Sequence, residues 1–140
     1  MANVIYNDFK KNIMDGIIDL GSDTIRVMLV TSSYTPDQDA HEFKDSVDNE
    51  VVGTGYTAKG EILTSADVTA NDSTDKGVFD ADDVTWGSST ITARGAVVYK
   101  DTGTIGTSPL IYYVDFTEDK SSSNGDFKIA WHEDGILTLG

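Results

Sequence analysis

The chain has 140 residues, with 24 acidic against 10 basic side chains and a formal charge of −14. Such a surface repels nucleic acid and anionic membrane, which excludes phosphate binding across a broad face. With no cysteine and only two distant histidines, it has no disulfides, thiolate metal ligands or histidine-rich metal centre.

The length suits one domain, 1–140, able to bury a core without staples. Sixteen Thr, 12 Ser, 13 Gly and 19 Asp against 2 Pro favour strands joined by many turns. No apolar run approaches the ~20 residues that span a bilayer. The first sixteen residues carry no long apolar core behind their charges, which argues against a secretory signal.

In chain order, Ile5, Phe9 and Ile13 recur at four-residue spacing with Gly16 as a stop, which predicts an amphipathic helix over 4–15. Asp23 and Thr24 open a β-branched run in which Ile25, Val27 and Leu29 alternate with Arg26, Met28 and Val30. Both faces are largely apolar, as in a strand covered on two sides. Ala40, Phe43 and Val47 then suggest a short surface helix over 38–48, with Asp37 or Asp39 as its N-cap. From Val51 onward the pattern is almost all β. Ile91, Ala93, Val97 and Tyr99 share one strand face. Leu110, Tyr112, Val114 and Phe116 alternate with Ile111, Tyr113 and Asp115, and Asn124-Gly125 marks a turn before Phe127, Ile129 and Trp131. The expected fold is mainly β, a single-domain β-sandwich or barrel-like fold with a short N-terminal helix and one further short helix. Its expected core is Phe9, Ile13, Val27, Leu29, Val97, Tyr99, Tyr112, Val114, Phe127, Ile129 and Trp131.

Motifs for chemistry are weak. Gly53-x-Gly55-x-x-Ala58 has the spacing of a dinucleotide turn, but no helix pattern comes after it, so glycines at turns or bulges are the plainer reading. Asp80, Asp82 and Asp83 supply hard oxygens for calcium, yet Val84 and Thr85 stand where the twelve-residue calcium loop needs a ligand and a glycine. Paired carboxylates for glycoside hydrolysis carry no specificity among 24 acids. His41 and His132 are the only imidazole bases, and neither sits in a nucleophile motif. No catalytic, cofactor-binding or metal-binding residue is therefore assigned, and no enzyme activity is expected. Ile111 and Tyr113 lie on the strand face opposite Tyr112. That face is covered by the N-terminal helix, by another sheet or by another subunit, and in the last case both residues belong to an assembly interface.

Four stretches of the chain carry a resemblance. They are YNDFKKNIMDGIIDLGSDTIRVMLVTSSYTPDQDAHEFKDSV, EVVGTGYTAKG, FDADDVTWGSSTITARGAVVYKDTG and SPLIYYVDFTEDKSSSNGDFKIAWHEDGILTL. In this order, over nearly the whole chain, they resemble a family of small tailed-bacteriophage virion structural proteins. The pattern departs at Lys59, where members tend to carry Gly at a turn. The resemblance implies a virion component assembled from copies made in the host bacterial cytoplasm, not an enzyme. It implies partners among other virion proteins, either the major capsid protein or tail and neck proteins, and a homo-oligomeric or multicopy state without nucleic acid or membrane. A capsid decoration or cement role on the head is the first expectation. The alternative is a tail, neck or fibre-associated component acting as adaptor or receptor-binding protein, whose loops 70–77 and 118–126 would meet host glycans. A small wall-degrading hydrolase is the third and least supported class.

Overall fold

In the computed structural model, which describes residues 2–140, the β-branched run after Thr24 forms strand β2 (Ile25–Val30), buried along nearly its whole length. It pairs antiparallel with β7 (Thr92–Lys100), and β7 pairs with β8 (Leu110–Ser121). Two-residue strands close the sheet at its ends, β1 (Val4–Ile5) on β8 and β3 (Glu61–Ile62) on β2. The order is β1-β8-β7-β2-β3. A second layer contains two smaller antiparallel sheets. One joins β6 (Val84–Ser89) to β9 (Gly125–Ile129), and the other has the order β10-β5-β4, from Leu137–Leu139, Lys76–Asp80 and Asp67–Asn71. The sheets end in free strands, so the arrangement is the sandwich and not the barrel.

The large sheet is covered on both faces, as the pattern of β2 requires. On one face Val27, Leu29, Ala96 and Val98 pack with Phe79, Trp86, Phe127 and Ile129 of the second layer. On the other, Met28, Val30, Val97, Tyr99, Leu110 and Tyr113 form a separate cluster closed by Tyr6 and Tyr34, with Val4 and Val47 at its margin. Ile13, Tyr112, Val114 and Trp131 of the expected core are only partly buried. Among the described residues no helix is long and apolar enough to cross a membrane.

Helix α1 runs over Asn7–Met14, shorter at both ends than expected, and buries Phe9 and Asn12. The second helix does not form. Asp37 does cap a turn, since its Oδ1 accepts the N–H of Asp39 and of Ala40, each at 3.0 Å. The turn stops because the following backbone is taken by a distant partner. Leu110 N–H donates to the Glu42 carbonyl at 3.0 Å, Lys44 N–H donates to the Ser108 carbonyl at 2.8 Å, and Phe43 bridges Pro109. Only a 3-10 turn remains, at Lys44–Ser46.

The strand Leu110–Phe116 also departs from simple alternation. Tyr99 pairs with Leu110 and the adjacent Val98 pairs with Tyr112, so Ile111 is an extra residue, a β-bulge. Leu110 therefore lies on the face of Tyr113, while Ile111 joins the core of Tyr112 and Val114.

Candidate functional site

Ile111 and Tyr113, expected at an assembly interface, are both fully buried. The bulge turns Ile111 into the sandwich core. The cover over Tyr113 comes from a distant segment, with Tyr34 edge-on at 5.9 Å between ring centroids. Tyr6 Oη and Tyr34 Oη are 2.8 Å apart, and Tyr34 Oη lies 2.9 Å from His41 Nδ1, which also accepts the Asp37 N–H at 3.2 Å. This polar chain seals the second cluster, so neither residue is available to a partner. Burial raises the Tyr34 phenol to about 12 and pushes Tyr6 up as well.

The glycine motif is a packing device. A Cβ at Gly53 would lie 2.7 Å from the Thr90 carbonyl oxygen, and one at Gly55 would lie 2.7 Å from Ser89 Cα. These glycines let the 53–55 backbone bridge Thr90 through Thr54. Glu50 organises the adjoining loop, accepting Tyr56 Oη–H at 2.5 Å and Lys59 N–H at 2.8 Å. Lys59 itself adopts a φ of 81°, the region that favours glycine.

The Asp80–Asp83 carboxylates are engaged in local anchoring. Asp80 Oδ1 accepts the Ala81 N–H, Asp82 Oδ2 accepts the Thr64 hydroxyl, and Asp83 Oδ1 accepts the Trp131 N–H at 3.0 Å. Among the described residues no three acidic or histidine side chains converge as a metal site. The two histidines stand apart, His41 against Tyr34 and His132 exposed beside Asp134.

What the fold does assemble is a groove of about 740 Å³ between β8 and β9. Tyr112, Val114 and Phe116 form one wall at alternate positions of β8, and Phe127, Ile129 and Trp131 form the other. Phe116 arrives there through an irregular stretch. Gly95 pairs with Asp115 and Ala93 pairs with Lys120, so residues 116–119 stand opposite Arg94 alone. Thr117 takes a φ of 68°, a costly conformation for a β-branched residue. Asp115 holds it, its Oδ1 accepting the Thr117 N–H at 2.9 Å and Arg94 Nε–H at 3.0 Å. Burial works to raise the Asp115 carboxyl, but these two donors outweigh it and keep it below the ordinary carboxylate range. The Phe116 and Phe127 rings meet at 6.2 Å.

Trp131 is fixed by the Asp82 carbonyl, which accepts its Nε1–H at 3.0 Å. At the opposite rim, Asn3 Oδ1 accepts the Asp115 N–H at 2.7 Å and its Nδ2 donates to Tyr112 Oη at 2.9 Å. Lys120 pairs with Glu118 at 2.7 Å and Lys128 faces Asp83 at 3.6 Å. Sequence reasoning placed the aromatics on strands but not in one groove, because their meeting depends on the excursion at Thr117.

A second concavity, of about 720 Å³, lies over the outer face of β4 and β5 and is walled by Asp67, Asp72, Asp80, Asp82, Glu133 and Asp134. The inner face of the same sheet is apolar. Its row Val68–Phe79–Leu137 reaches into the core, where Phe79 and Leu137 are buried. The next row on that face, Ala70–Gly77–Leu139, extends past the sandwich. Leu139 is 73% exposed, and a Cβ at Gly77 would meet only the Leu139 carbonyl oxygen, at 3.9 Å.

No protein-family model, no curated protein and no solved structure matches this chain.

Proposed function

We propose that this protein is a structural component of a tailed-bacteriophage virion, a decoration protein held in many copies on the outside of the head. The observation that carries the reading is the exposed apolar fringe of the β10-β5-β4 sheet, Ala70 and Leu139 in the overhanging row with the half-exposed Val68 at the edge of the row before it, on a domain whose net charge is −14. An inward sheet face continued past its own core is an unfinished layer, and a partner surface completes it. The major capsid protein is that partner. The acids of the remaining surface then face solvent and keep free copies apart before assembly. The order of the four resembling stretches supports the same class.

Counting the protein in purified virions by quantitative mass spectrometry tests the proposal. Cyclic and icosahedral symmetry make copy number diagnostic: on the order of hundreds of copies fit the head, while about six to a few dozen mean a tail or neck component and overturn the head assignment. Absence from particles overturns the virion reading itself. Paired Val68→Lys and Leu139→Lys substitutions, both at exposed positions, are expected to release the protein from heads without unfolding it. Wild-type binding is expected to survive high salt, since apolar contacts are not screened as ion pairs are.

A further inference from the structure

We propose that the groove between β8 and β9 binds a neutral saccharide chain. The groove has the size of a ligand site, about 740 Å³ within the ~300–1,000 Å³ range of such pockets. Three of its aromatic side chains, Tyr112, Phe116 and Trp131, are only partly buried, so their rings remain accessible along one trough. The flat C–H faces of pyranose rings pack on such surfaces, and the hydroxyl edges then need both donors and acceptors. Asn3, whose Nδ2 keeps a second N–H beyond its bond to Tyr112 Oη, and Asp126 line the same space with an amide donor and a carboxylate acceptor, which supply that mixture.

Charge and backbone chemistry separate this ligand from others. The two lysines of the groove already face Glu118 and Asp83, and the chain carries a net −14, so among the described residues that line the groove a phosphate or acidic ligand finds no unpaired lysine. An extended peptide would seek a ladder along β8, but the amides of Asp115 and Thr117 are already taken by Asn3 and by the Asp115 carboxylate. A neutral polyhydroxylated chain needs neither. The left-handed Thr117 places Phe116 against Phe127 at the cost of backbone strain, and strain of this kind collects at ligand-binding sites.

The inference is independent of where the protein sits on a virion, and its test uses the purified chain alone. The chain is applied to an array of neutral bacterial surface oligosaccharides and homoglucans, and the best-retained sugar is titrated by tryptophan emission and by amide shifts in NMR. Trp86 is 2% exposed, so a saturable emission change reports on Trp131. The expected result is saturable binding with shifts confined to 112–117 and 126–132. Asp126→Ala, at an exposed position, is expected to weaken binding about tenfold, the loss of one hydrogen bond to a charged group. Phe116→Ala, checked for folding by circular dichroism, weakens it further. Retention of no sugar on the array overturns the proposal. So do shifts that map elsewhere, or an affinity unchanged in the folded Asp126→Ala and Phe116→Ala variants.

Discussion

Replacing Gly95 with Ala drives a methyl carbon into the ring of Tyr113. A Cβ at that position would lie 2.6 Å from Tyr113 Oη and 2.7 Å from its Cε1 and Cζ. Carbon atoms rest at about 3.5–4.0 Å, so the ring must retreat by roughly 1 Å. It has nowhere to go, because Tyr113 is fully buried and lies edge-on against Tyr34 at 5.9 Å. The φ of Gly95 is not positive, so the new residue adds no backbone strain and brings about 0.4–1 kcal/mol through the unfolded state. Overpacking costs about 1–3 kcal/mol; three contacts this short put Gly95→Ala in the upper half of that range, leaving a net loss of about 1–2 kcal/mol. At about 2.1 cal/mol/K per residue, that loss lowers Tm by roughly 3–7 °C. Urea titration measures it, and a second variant locates its cause. In a Tyr113→Leu background the overlap is gone, and Gly95→Ala is expected to be neutral or stabilising, a coupling that only contacting residues show. A loss under about 0.5 kcal/mol in the wild type, typical of surface sites, refutes the reasoning. An equal loss in both backgrounds refutes it too.

Tyr113→Phe removes a buried hydroxyl that has no hydrogen-bond partner among the described residues, so unfolding by urea is expected to require up to about 1 kcal/mol more; a clear loss shows the hydroxyl to be bonded. Burial, the leading cause in each case, raises the phenols of Tyr6, Tyr34, Tyr56, Tyr99 and Tyr113. Unfolded phenols ionise near 10, so the stability these groups contribute is full below pH ~10 and is lost as pH rises toward the folded values. Absorbance at 295 nm should therefore rise together with loss of the β-sheet circular dichroism signal, and ionisation of these phenols with the fold intact contradicts the prediction. At the acid end the Asp115 carboxyl is held low, so its contribution is present above pH ~4 and lost as pH falls through its folded value. Asp115→Asn is expected to lower stability at neutral pH and flatten the acid limb of a pH–stability curve; an unchanged limb rules out this residue as its source.

Elements whose cover is generic were legible in the sequence. The two-sided apolar run at Ile25–Val30 announced a strand buried on both faces, and Phe9 announced the stripe of α1. The segment after Asp37 misled because its cap is real while its continuation is decided by residues 108–110, which lie far along the chain. Tyr113 misled for a related reason. Its cover is Tyr34 and Tyr6, which no periodicity within β8 can reveal. The glycines at 53 and 55 kept two meanings until Thr90 and Ser89 came within contact distance. The groove was least legible, since it depends on a left-handed threonine that local propensity disfavours.

The extra residue in β8 has a consequence for chain length. Leu110 and Tyr112 on either side of Ile111 already pair with the adjacent Tyr99 and Val98. A chain lacking Ile111 keeps every one of those partners and gains an uninterrupted ladder. Deleting it is therefore a packing lesion comparable to truncating one buried isoleucine, about 2–5 kcal/mol. Deleting Tyr112 instead either shifts Ile111 into its place or transposes each following side chain to the opposite face. The middle of a central strand, where a missing residue is ordinarily the worst of lesions, thus holds one position that the chain can lose without changing its pairing with β7, the bond from Tyr6 N–H to the Ile111 carbonyl being the contact given up on the other side.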